Sequence, residues 1–237
     1  MATLCMALRH GEDVHLLTDR MITDEGVGYR FKSALPKIIP LGERNGADVV
    51  AMAAGTIVIN TILRSKNWSF DRAEDDNDSR DEFEARLATK FLPDLLATHR
   101  ELNYGMNGEA EGDLTAEWPM IMGSMLIVYN GGIYNVCNKR SIMDMGDCGA
   151  IGSSERIVYP SIKTAQHFTS DPVEQLIATL NTCIDLDPYV CAPFDYAVYR
   201  NGRLGSIPSI ETPEALRSSS WIGIGAQRVE PTLRTKI

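Results

Sequence analysis

The chain has 237 residues, 44% of them hydrophobic and 23% charged, a balance that supports one good-sized buried core and argues against disorder. Its formal net charge of -9 disfavours nucleic acid and anionic membrane surfaces as partners, because both are held by clustered cations. No apolar run approaches the roughly 20 residues that a membrane span requires.

The first twenty residues read as a β-hairpin that begins at the start of the chain and ends on a carboxylate, Asp19. Thr3–Leu8 and Val14–Thr18 are apolar and β-compatible, with Arg9-His10-Gly11-Glu12-Asp13 as turn chemistry between them. Leu35–Leu41 and Val49–Ala53 predict a second hairpin around Gly42-Glu43-Arg44-Asn45-Gly46, whose glycines and asparagine tolerate positive φ. Thr56–Arg64 then has the length of a buried helix. The acidic run Glu74, Asp75, Asp76 and Asp78 lacks the glycine and distal glutamate of a calcium loop and reads as solvated. From a cap at Ser79, Phe83, Leu87, Phe91, Leu95, Leu96 and Leu102 recur at helical spacing, a core stripe that Pro93 should kink or divide.

Met120–Tyr129 and Ile133–Cys137 flank Asn130-Gly131-Gly132 and predict a further hairpin, because Asn-Gly suits primed two-residue turns. Gly149–Ser154 reads as a glycine-rich turn after a short strand, and Glu155–Phe168 as a helix interrupted near Pro160. Asp171-Pro172-Val173-Glu174 supplies a cap and a proline at the first helical position for a helix to about Asp185. Tyr196–Arg200, Asn201-Gly202 and Arg203–Ile207 give a last hairpin. Beyond Pro208 the chain reads as a loosely structured tail with one apolar piece, Trp221–Ile224, so the expected division is a domain over 1–207 and an extension over 208–237. This order of strands and helices predicts a layered α+β fold of two antiparallel sheets with helices outside.

Cys5, Cys137, Cys148, Cys183 and Cys191 are odd in number, widely spaced and free of any CxxC pair. With a start that lacks a basic n-region and an apolar h-region, they point to reduced thiols and a cytoplasmic protein. Cys5 sits inside a strand and reads as a core residue rather than a nucleophile. His10, His15, His99 and His167 show no metal-ligand spacing.

Six short motifs in order carry a resemblance to the proteasome β-subunit and its bacterial relative HslV. Thr3-Leu4 through Gly11 resembles the first strand and turn of those subunits, and Thr18-Asp19 the aspartate that ends the second strand. Pro36-Lys37-Ile38-Ile39 resembles the strand bearing their lysine, and Ala51–Thr56 the small-residue turn that supplies an oxyanion donor. Gly149–Ser154 resembles the serine turn near the nucleophile, and Asp187–Pro193 the aspartate-containing loop before the last strands. Within that family the chain is similar to the betaproteobacterial proteasome homologues, over roughly residues 1–205.

The resemblance implies a four-layer αββα sandwich and N-terminal-nucleophile hydrolysis, with no metal and no organic cofactor. In this family the free amine of an N-terminal threonine is base for its own hydroxyl, which attacks a peptide carbonyl. Carried across, Asp19 would orient Lys37, and Lys37 would sit beside the nucleophile. Ser153 and Asp187 would steady the terminal amine, and the backbone N–H groups near Ala54 and Gly55 would receive the oxyanion. Where the family often has a serine three residues after the second aspartate, this chain has Val190.

The nucleophile itself departs from the pattern. Matching Met1-Ala2-Thr3-Leu4 to Met-Thr-Thr-Ile puts Ala2, which has no hydroxyl, where the threonine should stand, so the chain as written is expected to be inert. Three explanations stand: a replacement introduced for threonine, a natural loss of activity that leaves a ring-forming shell, or Thr3 as nucleophile after removal of Met1 and Ala2. The expectation is a self-compartmentalising threonine peptidase subunit, or its silenced form, assembled as stacked homomeric rings through the outer faces of its helices. It would act on peptides or unfolded protein, with an ATP-driven unfoldase as a further partner. The alternative is a non-catalytic ring-forming scaffold. An N-terminal hydrolase of small amides would share the fold.

Overall fold

The computed structural model describes residues 4–24, 29–55, 57–70, 79–106, 123–137 and 141–219. In chain order these form β1 (Leu4–His10), β2 (Asp13–Asp19), β3 (Met21–Asp24), β4 (Tyr29–Lys32), β5 (Ile38–Arg44), β6 (Ala47–Gly55), α1 (Ile57–Ser65), α2 (Arg80–Arg86), a π turn (Leu87–Phe91) and α3 (Leu92–Met106). They continue as β7 (Gly123–Tyr129), β8 (Gly132–Val136), β9 (Ile142–Asp144), β10 (Cys148–Gly152), α4 (Glu155–Ala165), α5 (Pro172–Leu186), β11 (Phe194–Arg200), β12 (Arg203–Leu204), β13 (Ser209–Ile210), a 3-10 turn (Pro213–Ala215) and α6 (Leu216–Ser219).

Turn chemistry sets the hairpins. Asn45-Gly46, Asn130-Gly131 and Asn201-Gly202 all take positive φ at both residues, as primed two-residue turns require. The resulting strands assemble into two antiparallel sheets, one in the order β10-β1-β2-β11-β12 with β13 also on β11, the other in the order β5-β6-β7-β8-β9.

Alternate side chains along each strand then face opposite layers. Cys5, Ala7, Val14 and Leu16 of the first sheet meet Val50, Met52, Leu126 and Val128 of the second in the middle. Leu4, Met6, Leu8 and Leu17 face α4 and α5 instead, against Val158, Ile162, Leu176 and Leu180. On the far side Val49, Ala51, Ile127 and Tyr129 pack under Ile62, Phe83, Phe91 and Leu95 of α1 to α3. The product is the expected α+β sandwich, helices–sheet–sheet–helices.

Helix boundaries follow their caps. Ser79 accepts from the Glu82 N–H and Asp171 from the Val173 N–H. Pro93, expected to kink or divide the helix, is met by a π turn: Leu92 donates to the carbonyl of Leu87 just before the proline, which has no N–H to give. Phe83, Leu87, Phe91, Leu95 and Leu96 are all buried.

Several expectations need correction. The helix over Glu155–Ala165 is not interrupted at Pro160; the ring lies on its exposed side, where the orphaned carbonyl can take water. Gly149–Gly152 is strand, not turn, and a Cβ at Gly149 would lie 2.8 Å from Ile133 Cγ2, so glycine serves close approach of the two sheets. Pro36 delays the second hairpin's first strand to Ile38, and that strand runs on to Arg44 with a bulge between Pro40 and Gly42. The β3–β4 ribbon was not expected at all. Residues 209–219, read as loosely structured, pack down: Ile210, Pro213 and Leu216 are buried, and Arg217 pairs with Glu174 of α5. Residues 71–78, with the acidic run, and Trp221–Ile224 lie outside the described residues.

At the end of the second sheet Gly123 faces Gly55 across the β6–β7 pair, and a Cβ at Gly123 would stand 2.4 Å from the Ala54 carbonyl oxygen. Backbone cannot yield as a side-chain tip can. Gly123→Ala is therefore expected to lower the free energy of unfolding by about 2–3 kcal/mol in urea titrations, whereas Gly131→Ala, with nothing within 4 Å of the added carbon, costs only its positive φ, about 1 kcal/mol.

Candidate active site

β1 lies between β2 and β10, and its pairing sets Leu4 opposite Gly152 and Cys5 opposite Thr18. The first described residue is thus flanked by Asp19 at the end of β2 and by the Ser153-Ser154 turn that follows β10. Lys37 arrives from the other sheet, one residue before β5.

Two charges meet there out of water. Lys37 Nζ donates to Asp19 Oδ1 at 2.8 Å and to the Met21 carbonyl at 2.6 Å, and the Leu4 N–H donates to the same Oδ1 at 3.2 Å. Asp19 is fully buried and Lys37 nearly so, while Asp19 Oδ2 has no hydrogen-bond partner among the described residues. Burial pushes the Asp19 carboxyl up to about 6; the Lys37 charge and the Leu4 N–H pull against that, and the charge of Asp187 adds to the rise.

The second acid closes the other flank. Ser153 and Ser154 each donate from Oγ to Asp187 Oδ2 at 2.7 Å, and the Tyr189 N–H donates to Oδ1 at 2.9 Å. Because each hydroxyl gives its proton to the carboxylate, its lone pairs are left to accept, which suits an ammonium group between them. Val190 is buried among Phe194, Leu176 and Leu180, facing the helix-side core, and its N–H donates to the Asp187 carbonyl at 3.0 Å. The loop is therefore closed by backbone at the position where a serine was looked for.

Ala54 and Gly55 end β6 just past Met52, the register partner of Ile38, so they extend beyond the strand that neighbours Lys37. Cys5 is buried and donates weakly to the Ala53 carbonyl at 3.7 Å, with its thiol pushed up to about 12 by burial. A thiol held protonated in this way is a core group. Ala2 and Thr3 lie outside the described residues.

The structure sets Asp19, Lys37, Ser153 and Asp187 about the start of β1, with Ala54 and Gly55 at the end of β6; these six are positions that sequence reading named. Sequence reading missed Ser154 as the second hydroxyl on Asp187, and it missed the pair of Arg20 and Asp195. Arg20 Nε donates to Asp195 Oδ1 at 2.7 Å and Oδ2 at 2.9 Å, and Asp195 is wholly buried. The available signal was an aspartate in the strand Phe194–Arg200, an unusual choice for a position with apolar neighbours on both sides.

No family model matches the chain, and no curated protein matches it in sequence. Solved structures do match in shape. Thiobacillus denitrificans BPH in complex with epoxomicin superposes with a TM-score of 0.63 at 15% identity, covering 84% of this chain and 98% of that one. Anbu from Pseudomonas aeruginosa, solved as a helical assembly, gives 0.57 at 15% identity and covers 92% of both chains. HslV from Trypanosoma brucei gives 0.51 at 18% identity, with 82% of this chain and 98% of that one covered. The fold is that of the proteasome and HslV-like N-terminal-nucleophile hydrolases.

Asp19 is testable without any substrate. Its carboxyl 13C resonance, assigned with Asp19→Asn, is expected to titrate near pH 6 rather than near 4. A carboxyl raised in this way stabilises the fold fully below its unfolded-state pKa, and the contribution is lost as pH rises through the folded value. The stability of the wild type relative to Asp19→Asn should accordingly fall by on the order of 2–3 kcal/mol between pH 4 and 6 in urea unfolding. A difference that stays flat over that interval would mean that Asp19 is ionised throughout.

Proposed function

We propose that the protein is a threonine-type N-terminal-nucleophile hydrolase of peptide bonds, with Thr3 as nucleophile once the residues ahead of it are removed. The observation that supports it best is that the Leu4 N–H and Lys37 Nζ share one oxygen of Asp19. Leu4 is bonded directly to residue 3, whereas residue 2 is a further Cα step of about 3.8 Å along the chain. A nucleophile seated at Lys37 is therefore better supplied by Thr3 than by Ala2, which then belongs to the part that is discarded. While Met1 and Ala2 remain, the nitrogen of Thr3 is an amide and no base, so the unprocessed chain is silent.

In the processed chain the α-amine of Thr3 takes the proton from its own hydroxyl, and the oxygen attacks the peptide carbonyl. Lys37, held by Asp19 and the Met21 carbonyl, places a positive charge where the alkoxide forms. Backbone N–H groups at Ala54 and Gly55 take the oxyanion. The protonated amine, steadied by Ser153, Ser154 and Asp187, returns its proton to the departing amine of the product. Water then hydrolyses the ester, and the hydroxyl is restored.

The same reading includes a homo-oligomer of stacked rings acting on peptides or unfolded chains in a reducing cytoplasm, with an ATP-driven unfoldase as partner. Support comes from the helical assembly of Pseudomonas Anbu, from five free cysteines, and from large apolar side chains left exposed on the helical side, Phe168 and Leu186. Among the described residues no helix is long and apolar enough to cross a membrane.

A chain prepared to begin at Thr3 is expected to hydrolyse fluorogenic peptides and to form a covalent adduct with epoxomicin, detected by intact mass. Thr3→Ala and Lys37→Ala in that chain should each lower kcat at least about 1,000-fold. The chain retaining Ala2 should be silent. Activity only in an Ala2→Thr chain that begins at residue 2 would move the nucleophile to that position, and silence in every form would favour the ring-forming scaffold.

A further inference from the structure

Asp195 and Arg20 have no part in the chemistry described above, yet they sit beside it and are costly to keep. Asp195 stands opposite Thr18 in the β2–β11 pair with its carboxylate fully buried. Arg20, the residue after Asp19, turns its guanidinium onto that carboxylate, with Nη2 at 2.6 Å from Oδ1 in addition to the two contacts of Nε. Such a two-pronged grip fixes the plane of the guanidinium as well as its place.

The fixed side chain holds the segment that carries Lys37. Ser33 donates its N–H to the Arg20 carbonyl at 2.8 Å, and Arg20 Nη1 donates to the Ala34 carbonyl at 3.4 Å. Ser33 Oγ closes the bend by donating to the Leu35 carbonyl at 2.9 Å and accepting from the Leu35 N–H at 3.2 Å. Arg64 of α1 donates to the Pro36 carbonyl. Residues 33–36 belong to no strand, so these contacts and not a sheet ladder decide where the next residue, Lys37, enters the site.

Both partners of the Asp19–Lys37 pair are thus referred to one side chain. Asp19 is bonded to Arg20 through the chain, and Lys37 follows the segment that Arg20 grips. We propose that Arg20 and Asp195 are positioning residues for Lys37, setting its ammonium against Asp19 at the start of β1. This rests on the hydrolytic reading for its catalytic consequence but not for its geometry. Lysine at position 20 would keep a charge for Asp195, but one ammonium cannot serve both carboxylate oxygens and the Ala34 carbonyl in a fixed fork.

The test uses Arg20→Lys in the chain beginning at Thr3, with 13Cε-lysine NMR in which Lys37→Arg assigns the Lys37 signal. The folded variant is expected to lose about 10- to 100-fold in kcat with KM within about twofold, since misplacement of a catalytic group by an ångström has costs of this size. Its Lys37 resonance and the acid limb of its pH–rate profile should move together. If kcat, pH profile and resonance all match those of the parent chain, the pair is merely structural and the proposal is overturned. Should the parent chain hydrolyse nothing, the hydrolytic reading falls by itself: a displaced Lys37 resonance in Arg20→Lys still upholds the positioning role, and an unmoved one overturns it. Asp195→Asn, read in the same way, replaces Arg20→Lys if the latter does not fold.

Discussion

One carboxylate oxygen, Asp19 Oδ1, receives an ammonium from one sheet and a backbone N–H from the other, and the candidate site exists because it does. Stripping water from two ions costs several kcal/mol each, and their attraction repays this only when the geometry is good and the remaining lone pairs and protons are satisfied. Asp19 is fully buried and its second oxygen is bare of partners among the described residues, so the pair is a poor source of stability. What it supplies is a single arrangement. With either partner displaced, the other is a buried charge without its counter-ion, and the start of β1, the end of β2 and the approach to β5 lose their common point.

Asp187 shows the same preference for arrangement over stability. It caps the C-terminal end of α5, where the helix dipole disfavours negative charge. Two serine hydroxyls from the turn after β10 and the Tyr189 N–H offset that penalty, and the Val190 N–H closes the loop onto the Asp187 carbonyl. An acid at the wrong end of a helix, held by three donors among the described residues, is not what helix formation by itself selects. It is understandable as an acceptor whose serines have lone pairs left over, one strand away from the first acid.

Much of this was legible in the sequence, for local reasons. Asn-Gly at three turns demands positive φ and so fixed the hairpins; Ser79 and Asp171 announced helix starts because a side-chain oxygen is needed there whatever the tertiary context. The failures were non-local. Gly149 looked like turn chemistry because nothing in the neighbouring residues discloses that Ile133 and Leu126 press against its α-carbon. Pro160 looked like a break because its exposure, which makes the lost hydrogen bond cheap, depends on what α4 packs against. Arg20 and Asp195 are 175 positions apart, and only the β2–β11 register joins them. Ile210 and Leu216 were lost among serines and prolines whose composition speaks for a loop, although both are buried in the helix-side core.

The opposite end of the sandwich explains how such a site can be tolerated. There Tyr199 donates from its hydroxyl to the Asp48 carbonyl at 2.9 Å and accepts from the Asn130 N–H at 3.0 Å, while the Leu204 N–H donates to Asp48 Oδ2 at 2.7 Å. These bonds tie β11, β12, β6 and the β7–β8 turn together chiefly through uncharged groups, and the accompanying Arg203 pairs are exposed enough for water and salt to weaken them. The two sheets are thereby held in register by inexpensive contacts at one end. Because strands are stiff over seven residues, that register carries through to the other end, where buried charges can be stationed without having to hold the sandwich together. Inexpensive contacts and buried charges are divided along the length of the same strands.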